Sequence, residues 1–176
     1  MSSRKMKKAG NVLSFSLYIL LVIVLAIALR AFVIERVVVV GASMEPTLSD
    51  GDDVLIEKIS ARTGGIKRYD IVVFPVEGVL LIKRVYGLPG EHIRIDETGL
   101  IYINGVAIDD KYAREIMKDP GRAGDPGVTL ADDEYFVLGD NRNNSIDSRA
   151  LEVGSVRDKN IRGRVIIRLR PFSGID

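Results

Sequence analysis

Apolar residues are distributed very unevenly along this chain. One run from Val12 to Leu29 contains 18 residues without a charge, and after Arg30 it continues with four more apolar residues. Beyond residue 35 the apolar residues fall in short, mostly β-branched runs that turn signals separate. The pattern predicts one hydrophobic helix followed by a strand-rich domain.

The first run is long enough to cross a bilayer, since a helix rising about 1.5 Å per residue would span about 27 Å. A cleaved secretory signal is the alternative, because basic residues precede the run. The run exceeds the ~7–15 apolar residues of such signals, and no small-x-small cleavage site closes it. We therefore expect a retained anchor over residues 12–34. Four basic residues before the span predict a cytoplasmic tail over 1–11 and an extracytoplasmic domain over 35–176.

The later runs predict a mainly β fold, an antiparallel sheet system or partly open barrel. Asn104-Gly105 indicates a type I′ hairpin, and residues 104–133 form a short insertion. Within the insertion we expect a helix over Lys111–Lys118 and a surface loop over Asp119–Gly127. The expected strands are Arg36–Val40, Val54–Ile59, Asp70–Phe74, Val79–Tyr86, His92–Ile95, Leu100–Ile103, Glu134–Leu138 and Arg164–Leu169.

Charge and cysteine content exclude several classes of function. Residues 1–34 carry five basic and no acidic residues, which leaves 20 basic and 24 acidic residues for 35–176. A net charge of −4 on the folded part opposes nucleic-acid binding. The chain has no cysteine, no cluster of metal ligands and no phosphate-binding glycine loop, so we expect neither a metal nor another cofactor.

Three segments could supply chemistry. In Gly41–Leu48 a Gly-Ala-Ser corner follows a valine-rich strand and precedes Pro46, which favours a tight turn with Ser43 at a strand end; an ordinary connection is the alternative. Lys83 lies in an aliphatic strand with Leu81 and Val85 on its face. If that face is buried, desolvation lowers the lysine pKa and makes a neutral base. An edge-strand lysine that opposes aggregation is the alternative.

The third segment is the polar loop Gly139–Arg149, which could hold Arg–carboxylate pairs and direct a hydroxyl at a buried amine, or could simply be solvated. A Ser-His-Asp triad would have to use His92, the only histidine, and a partly exposed strand histidine is the preferred interpretation.

Together these segments resemble bacterial type I signal peptidase, the membrane-anchored serine protease that removes signal peptides from exported preproteins. Ser43-Met44-x-Pro46-Thr47-Leu48, Gly51-Asp52 with Val54 and Lys58, Lys83-Arg84-Val85-x-Gly87-x-Pro89-Gly90, and the loop from Gly139 to Arg149 match its four ordered boxes. The resemblance covers roughly residues 10–170.

The resemblance implies Ser43 as nucleophile, Lys83 as general base and Ser145 as the hydroxyl that orients the lysine. Gly41 and the Ser43 N–H would border the oxyanion hole. The nucleophile box adds Met44, Pro46 and Thr47, and the site scaffold adds Arg84, Asp140, Asn141, Arg142, Asp147, Ser148 and Arg149.

Three departures from the family pattern are visible. Some members carry an oxyanion-hole hydroxyl two residues before the nucleophile, where this chain has Gly41. Glu91 stands where Asp is usual. The variable insertion is close to the shortest length that the family pattern allows.

The resemblance implies processing of preproteins at the bacterial cytoplasmic membrane, with the lipid bilayer and, transiently, the export machinery as partners. A self-cleaving Ser-Lys repressor protease shares this core, but the anchor and the absence of a DNA-binding domain oppose it. A membrane-tethered β-domain that binds export partners without catalysis is the alternative from another class.

Overall fold

A computed structural model describes residues 14–28, 33–170 and 172–174. Residues 14–28 are helical (α1). Within these ranges, no helix combines the length and the apolar character needed to cross a bilayer. The rest of the expected anchor, residues 12–13 and 29–32, and the expected tail over 1–11 lie outside the described residues.

The remainder is built mainly of antiparallel strands, as the sequence predicts, with one short helix, α2 (Ile59–Thr63). The strands are β1 (Ile34–Val38), β2 (Asp53–Glu57), β3 (Ile71–Val76), β4 (Val79–Gly87), β5 (His92–Ile95), β6 (Ile101–Ile103), β7 (Val106–Ala107), β8 (Val128–Thr129), β9 (Glu134–Leu138), β10 (Val156–Arg157), β11 (Gly163–Arg170) and β12 (Phe172–Ser173). Single 3₁₀ turns cover Gly121–Ala123, Arg142–Asn144 and Asp158–Asn160.

Two sheets contain these strands. The larger has the order β1-β2-β11-β3-β4-β9-β10, with β12 beside β11, and the smaller has the order β7-β6-β5-β8. The late strand β11 thus lies in the middle of the larger sheet, between β2 and β3. Because β1 ends the sheet and β4 pairs with β9 only from Arg84 onward, β1 and the first half of β4 each expose a backbone edge in the described part of the chain.

Buried aliphatic side chains fill both faces of the larger sheet. One face packs Val37 and Val39 near β1 against Ile82 of β4, and the opposite face packs Val72 and Val85 together. Each fully buried side chain of this size contributes about 1.5–3 kcal/mol through the hydrophobic effect. A third cluster, centred on Ile93, Ile101 and Phe136, joins the smaller sheet to the end of β4 and to β9.

The expected helix Lys111–Lys118 is wrong. Residues 111–118 form turns and bends, because their backbone groups bond across to another loop: the Arg114 N–H donates to the Asp140 carbonyl (2.9 Å) and the Lys118 N–H to Asn143 Oδ1 (3.0 Å). The loop Asp119–Gly127 is also more ordered than expected, since Ala123 within its 3₁₀ turn is fully buried.

Candidate active site

Ser43 lies in the turn that follows β1. Gly41 has φ +89°, a conformation that glycine adopts without strain, and its N–H donates to Asp50 Oδ1 (2.7 Å). The Ser43 carbonyl accepts from the Asn141 N–H (3.0 Å), and Asn141 Nδ2 donates to the Ala42 carbonyl (3.0 Å). Two hydrogen bonds from one residue therefore fix the nucleophile turn against the loop that follows β9.

Lys83 is inside β4, paired with Val72 of β3, and is only 2% exposed. Its Nζ lies 2.7 Å from Ser43 Oγ and donates to the Ile82 carbonyl (2.9 Å). Leu81 and Val85 share its face of the strand and belong to a buried apolar cluster. The structure therefore joins a hydroxyl and a buried amine that are 40 residues apart in sequence.

Burial lowers the pKa of Lys83 from 10.5 to about 8, because desolvation disfavours the ammonium. The carboxylates of Asp147 and Asp140 act in the opposite direction by favouring the charged form. Burial prevails, so a substantial neutral fraction exists near neutral pH, and a neutral amine can accept a proton from a hydroxyl.

Arg84, the residue after the lysine, is buried against Asp140 as a bidentate ion pair. Its Nε and Nη2 lie 2.9 and 2.7 Å from the two carboxylate oxygens. Thr47 Oγ1 donates to Asp140 (2.6 Å) and accepts from Arg84 Nη2 (3.1 Å). These two bonds link Thr47 of the nucleophile box to Arg84 of the lysine box and to Asp140 of the final box. Because the side chains of both charged residues are at most 2% exposed, each needs the other as partner.

Asp147 is the second buried carboxylate near the dyad, and its oxygens accept five hydrogen bonds. Arg149 donates from Nε (2.8 Å), Nη2 (2.9 Å) and its backbone N–H (3.2 Å). The Gly139 N–H (3.0 Å) and Ser145 Oγ (2.8 Å) donate to Oδ2. The described hydrogen bonds thus join Ser145 to Asp147, whereas the resemblance implies a hydrogen bond from Ser145 to Lys83.

The other expected site residues pack around this centre. Arg142 Nε donates to the Gly139 carbonyl (2.9 Å), and the fully buried Ser148 accepts from the Val137 N–H through Oγ (2.9 Å). Met44 is 1% exposed, whereas Pro46 is exposed. In the described ranges no three His, Asp or Glu side chains converge to hold a metal ion.

Comparison with known proteins gives the family. The family model described as signal peptidase, peptidase S26, matches residues 12–170. The chain belongs to the signal peptidase family. It is therefore a peptidase, which hydrolyses peptide bonds, and its antiparallel β domain is of signal-peptidase type.

Relatives at 34–41% identity support this membership of the signal peptidase family. A probable signal peptidase I-2 of Synechocystis is 41% identical over 85% of this chain and 69% of that protein. Signal peptidase I S of Bacillus subtilis is 34% identical over 98% of this chain and 97% of that protein. The crystal structure of a signal peptidase I from Enterococcus faecalis is 31% identical and covers 56% of this chain and 95% of its own, with a TM-score of 0.46.

The histidine of this signal peptidase, His92, lies in β5 of the smaller sheet, away from the contact between Ser43 and Lys83. Its ring nitrogens are 3.0 Å from Thr129 Oγ1 and 3.0 Å from the Pro126 carbonyl. These contacts join β5 to β8 and to the preceding loop. Lys83, and not His92, is the basic group beside Ser43.

Sequence reasoning missed two residues that contact this site. The Tyr112 ring stacks on Arg84, with 3.7 Å between the ring centroid and Cζ, and Asp110 pairs with Arg142. Tyr112 belongs to the irregular segment that was expected to be helical, and Asp110 immediately precedes that segment. The only sequence signal was an acidic pair, Asp109-Asp110, in an insertion outside the four boxes.

Proposed function

We propose that this protein is a membrane-bound serine endopeptidase that removes signal peptides from exported preproteins with a Ser43–Lys83 dyad. The observation that carries the proposal is the 2.7 Å contact between Ser43 Oγ and the Nζ of a lysine that is only 2% exposed. A hydroxyl next to a desolvated amine is an activated nucleophile. Family membership supplies the substrate class, since the relatives are named signal peptidases.

The reaction would proceed in two stages. Ser43 Oγ attacks the carbonyl carbon of the scissile bond while Lys83 Nζ accepts the hydroxyl proton. The ammonium then donates that proton to the leaving amine as the C–N bond breaks, which leaves an acyl ester on Ser43. Water, deprotonated by Lys83, cleaves the ester and restores the serine. The Ser43 N–H is the candidate donor to the oxyanion, since Gly41 has no hydroxyl to offer.

An extended peptide would bind at the exposed edges of β1 and the first half of β4. Both edges carry unpaired backbone groups in the described part of the chain and lead to Ser43 or Lys83. Strand addition would supply the hydrogen bonds, and shallow apolar pockets would select small residues at the first and third positions before the cut. Ile82, with Leu80 packed beside it, belongs to the same apolar cluster as Val37 and Val39, and these residues are candidates for the apolar lining.

For localisation we propose a single-pass anchor over residues 12–34 in the bacterial cytoplasmic membrane, with the domain over 35–176 outside the cytoplasm. The supporting observations are the 18 uncharged residues from Val12 to Leu29 and the four basic residues that precede them. The bilayer and, transiently, the export machinery would then be its partners.

The test uses the full chain reconstituted into phospholipid vesicles. Wild type should cleave a preprotein, and sequencing of the new amino terminus should locate the cut after a small residue. Ser43→Ala should bind to the vesicles equally well and leave the preprotein intact. Processing by Ser43→Ala at the wild-type rate would refute the dyad, and wild type that fails to cleave would favour the non-catalytic alternative. Recovery of the chain in the alkaline carbonate supernatant would refute the anchor.

A further inference from the structure

We propose that the irregular segment of residues 110–118, here called the strap, positions the active site, and that Asp110 does so by holding Arg142. The inference deepens the proposed function and rests on it. None of the four sequence boxes contains the strap.

The strap contacts three of the four boxes, namely those that contain Ser43, Lys83 and Asp140. The Arg114 side chain pairs with Glu45 (2.6 Å), two residues after the nucleophile, and its backbone N–H donates to the Asp140 carbonyl (2.9 Å). The Tyr112 ring lies on the guanidinium of Arg84. One segment without regular secondary structure therefore connects residues that come from three separate parts of the chain.

Three reciprocal hydrogen bonds join the strap to Asn143 of the final loop. The Asn143 N–H donates to Glu115 Oε1 (2.9 Å), its Nδ2 donates to the Ile116 carbonyl (3.0 Å), and its Oδ1 accepts from the Lys118 N–H (3.0 Å). Among the groups bound here, the Lys118 N–H is one that a helix over 111–118 would pair internally with the Arg114 carbonyl. The strap is thus held by the final loop, and the loop by the strap.

A bidentate ion pair joins Asp110 of the strap to Arg142. The Arg142 side chain is fully buried, and its two terminal nitrogens bind the two oxygens of the Asp110 carboxylate. Tyr86 completes the pair, because its hydroxyl donates to Asp110 Oδ1 (2.6 Å) and its ring lies 4.7 Å from the guanidinium carbon. Among the described ion pairs, Asp110 is the only carboxylate that neutralises this buried charge.

Arg142 transmits this constraint to the nucleophile. Its Nε donates to the Gly139 carbonyl (2.9 Å), and Gly139 is packed so tightly that an added Cβ would lie 2.6 Å from the Ser43 carbonyl oxygen and 2.2 Å from Ser145 Oγ. A displacement of Gly139 toward these atoms therefore moves Ser43 or Ser145. Asp110 is a positioning residue, since it acts on the reacting atoms only through Arg142 and this contact.

Loss of the Asp110 charge leaves a buried guanidinium without a counter-ion, which must then move toward water and away from Gly139. A displacement of about 1 Å in a catalytic group is enough to reduce turnover by about 10²-fold. The exposed edges of β1 and β4 that would bind the peptide do not depend on this pair. We therefore expect kcat to fall about 10²-fold in Asp110→Asn, with KM unchanged.

The experiment measures kcat and KM of the full chain in detergent with a peptide that carries a signal-peptide cleavage site. The matched control is Asp109→Asn, which removes an adjacent, exposed carboxylate that takes part in none of the described side-chain hydrogen bonds. Asp109→Asn should stay within about twofold of wild type. In an Arg142→Met background, Asp110→Asn should add no further loss, because the charge that it neutralises is gone.

The proposal is overturned if Asp110→Asn retains wild-type kcat, if KM rises instead, or if the losses of Asp110→Asn and Arg142→Met multiply in the double variant. If Asp110→Asn alone does not fold, the double variant decides, since it must fold and match Arg142→Met. A double variant that is unfolded or less active overturns the proposal. Ser43→Ala is assayed alongside: cleavage that depends on Ser43 upholds the proposed function whatever Asp110 does, and cleavage that does not depend on Ser43 refutes both.

Discussion

The pH dependence of cleavage should report the titration of Lys83. With a pKa of about 8, roughly a tenth of the amine is neutral at pH 7 and roughly nine tenths at pH 9. Because only the neutral amine can accept the Ser43 proton, kcat/KM should rise about tenfold between these values and then level off. Rates measured from pH 6 to 10 at constant ionic strength test this. A flat profile, or a limb centred near 10.5, would refute the assignment.

The same pKa predicts a cost in stability. Below about pH 8 the native state must bury the Lys83 ammonium; between about 8 and 10.5 the unfolded chain binds more protons than the native state, so stability rises with pH there. The lowering from 10.5 to about 8 corresponds to about 3 kcal/mol, at about 1.4 kcal/mol per pKa unit.

Lys83→Met isolates this cost, because the substitution keeps an unbranched side chain only one atom shorter and removes its charge. Its stability relative to wild type should be greatest at pH 6 and should fall by about 3 kcal/mol as the pH passes 10.5. Denaturant unfolding at several pH values measures the difference, in which the other lysines cancel. A constant difference across this range would mean that the native state does not disfavour the ammonium. Lys83→Arg should be inactive at every pH, since guanidinium keeps its proton.

Five further substitutions, at four positions, test the site. Ser43→Ala should abolish processing without unfolding, while His92→Ala should be nearly silent; a comparable loss in both would revive a histidine triad. Ser145→Ala should reduce turnover strongly, because it leaves one acceptor position on the buried Asp147 carboxylate without its donor. Equally small effects of substitutions at Ser145 and at the exposed Asn143 would mean that the loop is merely solvated. Gly41→Ser and Gly41→Ala should each lower the melting temperature, since φ +89° costs a side chain about 1–3 kcal/mol; equal stability of Gly41→Ala and wild type would contradict this.

Regular elements and box residues were predictable because their signals are local. Alternation and β-branching predicted His92–Ile95 and Glu134–Leu138 with the bounds that the structure has. The aliphatic neighbours of Lys83 predicted a buried face, and its side chain is 2% exposed. The family resemblance then brought Ser43 and Lys83 together, which spacing alone could not do across 40 residues.

The strap was not predictable, because its conformation depends on partners 25 or more residues away, whereas the unexpected partner of Ser145 is Asp147, only two residues along the chain. Residues 111–118 have the composition of a helix, yet Asn143 and Asp140 bind the backbone groups that a helix needs. Asp147 captures the Ser145 hydroxyl because a buried carboxylate competes strongly for every nearby donor. The first outcome requires the relative position of two loops that lie 25 or more residues apart, and the second requires knowing that Asp147 is buried in the site.

The central place of β11 in the larger sheet has a consequence for how the enzyme acquires activity. Gly163–Arg170 pairs with β2 on one side and β3 on the other, so the strands that carry the nucleophile turn and the lysine become parts of one sheet only through a strand formed more than 75 residues after Lys83. Contacts of such long range form late in folding, since they require large loops to close. We therefore expect the proposed Ser43–Lys83 pair to be assembled, and proteolysis to begin, only once this late strand is inserted into the sheet.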